Sequence, residues 1–398
     1  MPELRRHWDL DPGITFLNHG SFGACPRVVL DHQTELRRLM EARPVEFLGR
    51  RLESRLDAAR TALADFIGAE PVGLAFVPNA TTGVNAIVGS LPFGPGDEIV
   101  ITDHGYNAVR NVVDHVAAST GAVVRTVALP FAGISAAGAI AAITGAVGPR
   151  TRLVIVDHIT SPTALVLPVA EIVALLEGGG VRVLVDGAHG PGMLAVDVGS
   201  IGASYYVGNC HKWMCAPKGS GFVYAGPGVR HDLMPVVISH GLNSERTDRS
   251  RFHQLFDWVG TTDPTAYLAV PHAIEFIGSL LPGGWSAVRE HNRDLALRGR
   301  EIVATAIGAE GLPAADLIGS MAAVPLTPAA APITPPHPDP LAAALLRDHA
   351  IEVPVPAWPQ TPRRVLRISA QLYNRVEDYE RLATALVESG VTPAPTAP

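Results

Sequence analysis

The sequence predicts an α/β protein: a large domain built on a mostly parallel sheet covered on both faces, then a smaller C-terminal α/β domain. Three observations predict it. From residue 73 onward, short apolar runs rich in Val, Ile and Leu alternate with segments of helical spacing. Strands buried on both faces read as such runs, and parallel neighbours need a crossover helix between them. The alternation loosens after about residue 275, where longer helical tracts separate the remaining strands. Several of the earlier runs end on polar residues, at the strand ends where open parallel sheets bind ligands.

Residues 14–17 form a short apolar run that breaks at Asn18-His19-Gly20-Ser21, a composition suited to a turn. Residues 28–42 and 50–68 carry Leu and Ala at helical spacing. Strands are expected at 73–77, Glu98–Thr102, 123–129, 153–156, 181–185, 204–207 and Gly221–Ala225. Helices are expected between them, one opening at Asn79-Ala80-Thr81 and others at about 107–119, 135–147 and 169–177. A helical tract from 262 to about 281 and another to about 307 follow. Strands at Met321–Leu326, 351–355 and 364–368 and a helix at Val376–Glu388 complete the pattern. Residues 327–340 read as a loop rich in Ala, Pro and Thr, and 391–398 as a frayed end.

Composition excludes several classes of function. A chain of 398 residues that is 47% hydrophobic supports a large core. A formal net charge of −7 with no long basic run argues against nucleic acid and anionic membranes as partners. Cys25, Cys210 and Cys215 make no disulfide framework, which fits a reducing, cytoplasmic setting. The first residues lack the apolar run and cleavage site of a signal peptide. No apolar stretch reaches the roughly 18 residues that a membrane-spanning helix needs.

Chemistry is concentrated in one stretch. Of 31 Lys plus Arg residues, the two lysines, Lys212 and Lys218, both lie in Gly208-Asn209-Cys210-His211-Lys212-Trp213-Met214-Cys215-Ala216-Pro217-Lys218-Gly219. Arginine can replace lysine in surface charge and ion pairing but cannot form an imine. Lysines kept only here point to an amine that reacts with a carbonyl cofactor. Asp186 closes an apolar strand one crossover upstream, where a carboxylate can share the lysine's crevice and hold a protonated pyridine nitrogen; the alternative is an ordinary helix cap. Asn79-Ala80-Thr81 opens a helix after a strand and suits a phosphate, or a plain cap. Tyr106 follows a strand and could stack on a planar cofactor or pack under a loop. His158 and His189 also follow strands, but no His pair has helical metal-ligand spacing and the cysteines match no zinc pattern, so no metal is expected. Arg367 lies in a C-terminal strand, where it could clamp a carboxylate or sit on the surface.

Taken together, these stretches resemble the class V aminotransferase-like branch of fold-type I pyridoxal phosphate enzymes. The nearest likeness is the isopenicillin N epimerase-like group, which is related to cysteine desulfurases. The motifs that carry it are Leu17-Asn18-His19-Gly20-Ser21-Phe22-Gly23, Asp186-Gly187-Ala188-His189, the His211-Lys212 pair and Arg367-Ile368-Ser369, with Asn79-Ala80-Thr81 and Asp157-His158-Ile159-Thr160-Ser161-Pro162-Thr163 adding to it. The resemblance implies a mostly parallel, seven-stranded type of sheet. It divides the chain into an N-terminal segment lining the active site (1–20), a large cofactor-binding domain (21–274) and a small domain (275–398). It makes Lys212 the imine-forming catalytic lysine and Asp186 the pyridinium partner. It places Ala80, Thr81, Asn209 and His211 at the phosphate, His189 at the phenolic oxygen and Tyr106 on the ring face. Thr261 resembles a threonine that reaches the neighbouring subunit's phosphate, which implies a homodimer with shared active sites. Asn18, His19 and Arg367 fall at the substrate, Arg367 at its α-carboxylate.

The implied activity is epimerisation at Cα of an amino-acid-type substrate in a secondary-metabolite, antibiotic-type pathway. The alternatives are a C–S β-lyase of a cysteine conjugate, transamination and decarboxylation-coupled deamination. Rivals from other classes are a catalytically silent scaffold and a metal-dependent hydrolase. Desulfurases carry a loop cysteine shortly before the carboxylate arginine; residues 327–366 contain none, which disfavours that route.

Overall fold

The computed structural model of the protein describes residues 4–332 and 338–394. The chain begins with β1 (Thr15–Phe16), the one-turn helix α1 (His19–Phe22), α2 (Arg27–Ala42), a π-helical turn (Val45–Arg50) and α3 (Leu52–Ile67). Then come β2 (Leu74–Val77), α4 (Ala80–Ser90), β3 (Glu98–Thr102), α5 (Asn107–Thr120), β4 (Val123–Val127) and α6 (Ala136–Gly145). They are followed by β5 (Thr151–Asp157), α7 (Val169–Gly178), β6 (Arg182–Gly187), α8 (Val198–Ile201), β7 (Tyr205–Asn209) and β8 (Gly221–Ala225). The rest is α9 (Arg251–Phe256), α10 (Thr265–Leu268), α11 (Val270–Ser279), α12 (Gly284–Ile307), β9 (Met321–Leu326), α13 (Pro340–His349), β10 (Ile351–Glu352), β11 (Arg364–Ser369) and α14 (Val376–Glu388).

Seven strands form the central sheet in the order β2-β8-β7-β6-β5-β3-β4. All run parallel except β8, which is antiparallel to both neighbours. The unbroken apolar runs follow from burial on both faces. Successive side chains of a strand point to opposite faces. Val100, Val154, Val183 and Phe222 accordingly enter one core. Ile99, Leu153, Leu184 and Val223 enter the core on the other face. Burying each such side chain contributes about 1.5–3 kcal/mol. A third core gathers α12 and α14 over the antiparallel pair β9–β11, with Val303, Val324, Leu366 and Leu382. Leu17 of the N-terminal segment belongs to this third core, and β1 pairs with β10. The first residues are thereby tied to the last quarter of the chain.

Local chemistry sets the boundaries. Asn79 caps α4 by accepting the Thr82 N–H at 2.9 Å. Gly68 and Gly121 end α3 and α5 in the left-handed conformation, with φ of 61° and 77°. The tract expected at 262–281 divides into α10 and α11, because Pro271 can enter a helix only in its first turn. The strand expected at 351–355 stops at Glu352. Helices α9 and α13 fall where no helix is expected from sequence. Residues 391–394 are tied down rather than frayed: the Thr327 N–H donates to the Thr392 carbonyl at 3.1 Å. The remainder of the expected frayed end, 395–398, and residues 333–337 of the expected loop lie outside the described residues.

Candidate active site

A cavity of about 310 Å³ opens at the carboxyl ends of β5, β6 and β7, facing the first turn of α4. A larger open groove of about 750 Å³ beside the end of α12 gathers no lysine, histidine or cysteine. The smaller cavity is where reactive groups converge.

Lys212 follows β7 in a tightly held loop. The N–H groups of Cys210 and His211 both reach the Ser220 carbonyl, at 3.0 and 3.2 Å, and the Ala216 N–H returns to the Cys210 carbonyl. Behind the loop sits His19. Its Nδ1 accepts from the Tyr373 hydroxyl at 2.8 Å and from the Ala24 N–H at 3.3 Å. Its proton is therefore on Nε2, which donates to the Lys212 carbonyl at 3.1 Å. Burial pushes the His19 pKa down to about 3, so the ring is a neutral brace. Gly23, with φ of 69°, passes so close to the His211 and Lys212 backbone that a Cβ would collide with it.

The Lys212 amine points into the cavity, 3.1 Å from His189 Nε2. Burial, with the Arg367 charge adding, lowers its pKa to about 8 against the opposing pull of Asp186. About a tenth is thus free amine at pH 7, against well under a thousandth for an ordinary lysine. His189 is fully buried, and its Nδ1 accepts from the Trp213 indole N–H at 3.1 Å. Asp186 Oδ1 accepts the Ala188 N–H at 3.0 Å. Asp157 lies beside it in register on β5 and lines the same cavity. Two buried carboxylates this close do not both ionise. Burial raises the Asp186 carboxyl as well, but the Ala188 N–H and Lys212 pull it back toward the charged form. Burial, then Asp186, push Asp157 far up, so Asp157 carries the proton.

Asn209 Oδ1 accepts the Ala80 N–H at 2.8 Å, fixing the start of α4 over the end of β7. A Cβ on Gly221 would lie 2.9 Å from the Asn79 Cα, so only glycine lets β8 approach that cap. The His211 Nδ1–H donates to the Ser220 carbonyl at 2.8 Å, and burial lowers its pKa to about 4. Across the cavity, Arg367 is buried and has no carboxylate partner among the described residues. Its Nη1 donates to the Ser161 carbonyl at 2.6 Å and its Nη2 to Ser21 Oγ at 2.9 Å, while Nε is unpartnered. Burial lowers its pKa to about 10.

Ala80, Thr81, Tyr106, Asp186, His189, Asn209, His211 and Lys212 all line this cavity, and Arg367 reaches it through Ser21 and Ser161. Asn18 acts only through Ser21, whose hydroxyl donates to Asn18 Oδ1 at 2.5 Å. Thr261 is exposed and does not line the cavity of its own chain. Lys218 is exposed. The site also contains Ser21, Ser161, Asp157 and Trp213, which lie in the motifs read from the sequence but received no role there. Among the described residues, the one cluster with metal-ligand closeness is Asp57, His253 and Asp257, and both carboxylates are taken by Arg60 and Arg249.

The aminotransferase class-V family profile matches residues 15–324. The chain belongs to that family. It is 35% identical to isopenicillin N epimerase of Streptomyces clavuligerus, over 96% of this chain and 97% of the relative. Putative L-cysteine desulfhydrase 1 of rice (Oryza sativa subsp. japonica) is 32% identical, over 96% and 85%. Among solved structures, the cystine C–S lyase C-DES superposes with a TM-score of 0.79 at 24% identity, over 95% and 98% of the two chains. The fold is therefore that of fold-type I pyridoxal phosphate enzymes, and the cofactor of this class V enzyme is pyridoxal 5'-phosphate. The cavity fits the group: an amine of lowered pKa, a buried carboxylate and a helix N-terminus face a single space, and a buried guanidinium without a carboxylate partner among the described residues lies behind Ser21 and Ser161.

Proposed function

We propose that the protein epimerises the α-carbon of an amino-acid-type substrate. The observation that carries Cα chemistry is the Lys212 amine in a cavity whose opposite wall, Ser21 and Ser161, is held by the buried Arg367 guanidinium. Epimerisation is favoured by full-length identities of 35% and 37% to two isopenicillin N epimerases.

Pyridoxal phosphate supplies a carbonyl for the substrate amine and a ring that stores the electron pair left at Cα. Lys212 would hold the cofactor through its amine, and the same amine, when free, is placed to take the Cα proton. Asp186 keeps a proton on the ring nitrogen, and Asp157 beside it stays neutral. The first turn of α4, with Thr81, Asn209 and His211, receives the phosphate. His211 already donates from Nδ1, so it meets a phosphate oxygen only by taking a proton on Nε2. Tyr106 would cover the ring face, and Arg367 would take the substrate carboxylate in two-pronged fashion by giving up its bonds to Ser161 and Ser21. His19 and Asn18 serve behind this surface, holding the Lys212 backbone and Ser21 rather than substrate. We also place a second copy of the chain over the exposed Val236 and Val237, which share a cavity with Gly260 and Thr262 on either side of Thr261; Thr261 would then complete the neighbour's phosphate site.

A C–S β-lyase is the second reading, favoured by the desulfhydrase relative. A persulfide route has no support from the site. Cys25, Cys210 and Cys215 are buried and none lines the cavity, and burial raises all three thiols. Incubation with candidate amino acids in heavy water tests the choice. Deuterium at Cα with inversion supports epimerisation, whereas pyruvate with a released thiol refutes it in favour of the lyase.

A further inference from the structure

We propose that Trp213 is a positioning residue that fixes the proton of His189 on Nε2, so that one imidazole N–H is aimed at the Lys212 amine, the atom that the cofactor's carbonyl joins. This rests on the reading that the cavity takes pyridoxal phosphate.

The inference follows from donor and acceptor capacity. An indole nitrogen is a donor only, so a 3.1 Å bond from Trp213 Nε1 requires a bare Nδ1 on His189. A neutral imidazole has one proton, which then resides on Nε2. Nε2 is 3.1 Å from Lys212 Nζ, so the imidazole donates and the amine accepts with its lone pair. Only an unprotonated amine can accept, and only an unprotonated amine attacks a carbonyl. The same contact therefore favours the reactive form of Lys212 over its ammonium.

The surroundings hold this state. Trp213 is buried among Ile159, Ala164, Met193 and Met321, with the His19 ring 4.8 Å away. A Cβ on Gly192 would come within 2.5 Å of the Trp213 backbone, so the turn after His189 is locked against the tryptophan. The charged and titratable groups facing His189 are Lys212, Arg367, His19 and His211. Burial and these groups all disfavour a second proton on the ring. Facing Lys212 are Arg367, which disfavours its proton, and Asp186, which favours it. Neither neighbour can choose between Nδ1 and Nε2 on His189; the indole N–H does.

The test combines two readouts. The protein without cofactor, labelled with 15N-histidine, reports the tautomer directly; the signals lost in His189→Gln assign the ring. The expected result is the Nε2–H tautomer in the wild type and a mixture in Trp213→Phe. The second readout is the rate of pyridoxal phosphate capture against pH, followed by visible absorbance. Trp213→Phe should slow capture about five- to ten-fold near pH 7 and move the midpoint upward, the size of one net hydrogen bond. In a His189→Gln background, the tryptophan substitution should change capture less than about two-fold, because an amide N–H has no tautomer to set. An Nδ1–H tautomer in the wild type overturns the proposal without needing any variant to fold. So does an equal effect of Trp213→Phe in both backgrounds, which marks a packing role. A wild type that takes up no pyridoxal phosphate defeats the functional reading and leaves the tautomer measurement standing.

Discussion

Arg367→Met separates function from stability at one residue. The guanidinium is buried with no carboxylate partner among the described residues, and its pKa falls from 12.5 to about 10. That depression of two and a half units is about 3 kcal/mol charged against the fold. For a base with a depressed folded pKa, the cost is fully present below about 10 and is relieved as pH rises from there toward 12.5. Methionine removes this cost and keeps apolar bulk. It also removes the bonds to the Ser161 carbonyl and hydroxyl and to Ser21 Oγ, about 1 kcal/mol each. The terms nearly cancel, so chemical denaturation of the cofactor-free variant at neutral pH should show a change within about 2 kcal/mol. Catalysis should fall by a factor of about 100 or more in kcat/KM, the loss of a two-pronged, charge-assisted carboxylate contact worth about 3 kcal/mol. A loss of 3–5 kcal/mol, as when a buried ion pair is broken, together with retained kcat/KM would show that Arg367 is structural.

Other outcomes follow from the same site. Lys212→Met in the cofactor-free protein should raise stability at pH 7 by up to about 3 kcal/mol, because the Lys212 pKa falls from 10.5 to about 8. The wild type should gain stability as pH climbs from about 8 to 10.5, and the variant should lose that slope in denaturation curves. Asp157→Asn should leave stability within about 1 kcal/mol and retain cofactor, since an amide replaces a protonated carboxyl. Asp186→Asn should cut turnover by about 100-fold or more, measured with the same substrate. Replacing Cys25, Cys210 and Cys215 together by alanine should leave kcat unchanged within about three-fold; loss of activity with the fold intact, checked by circular dichroism, would reopen a thiol route.

The parallel sheet was legible because strands buried on both faces have no polar alternation to confuse with a helix, as in β3 and β7. The residues at its carboxyl edge were legible for the same reason: a polar side chain ending such a run has few places to go but the crevice. Asp186 and the Lys212 loop are of this kind. Ser21, Ser161 and Trp213 were not. Their importance comes from Arg367 and His189, groups remote in sequence that the folding of the chain brings to them. Asp157 stood in a recognised motif without a role, because its proton is set by a neighbour on the next strand. His19 was placed at the substrate, yet its bonds to Tyr373 and the Lys212 carbonyl put it one layer behind. Helix α13 did leave a signal: Asp339 caps it and Pro340 opens it, within a proline-rich run that otherwise reads as loop. Helix α9 is six residues long, too short for periodicity to declare.

Reductive trapping tests the role of Lys212 most directly, because the chain offers two lysines in all. The protein is loaded with pyridoxal phosphate, treated with borohydride and digested, and the peptides are weighed. The expected result is one phosphopyridoxyl group per chain, on Lys212, with Lys218 unmodified and no visible absorbance from loaded Lys212→Ala. A label on Lys218, or none on Lys212 in protein that has bound the cofactor, would contradict it.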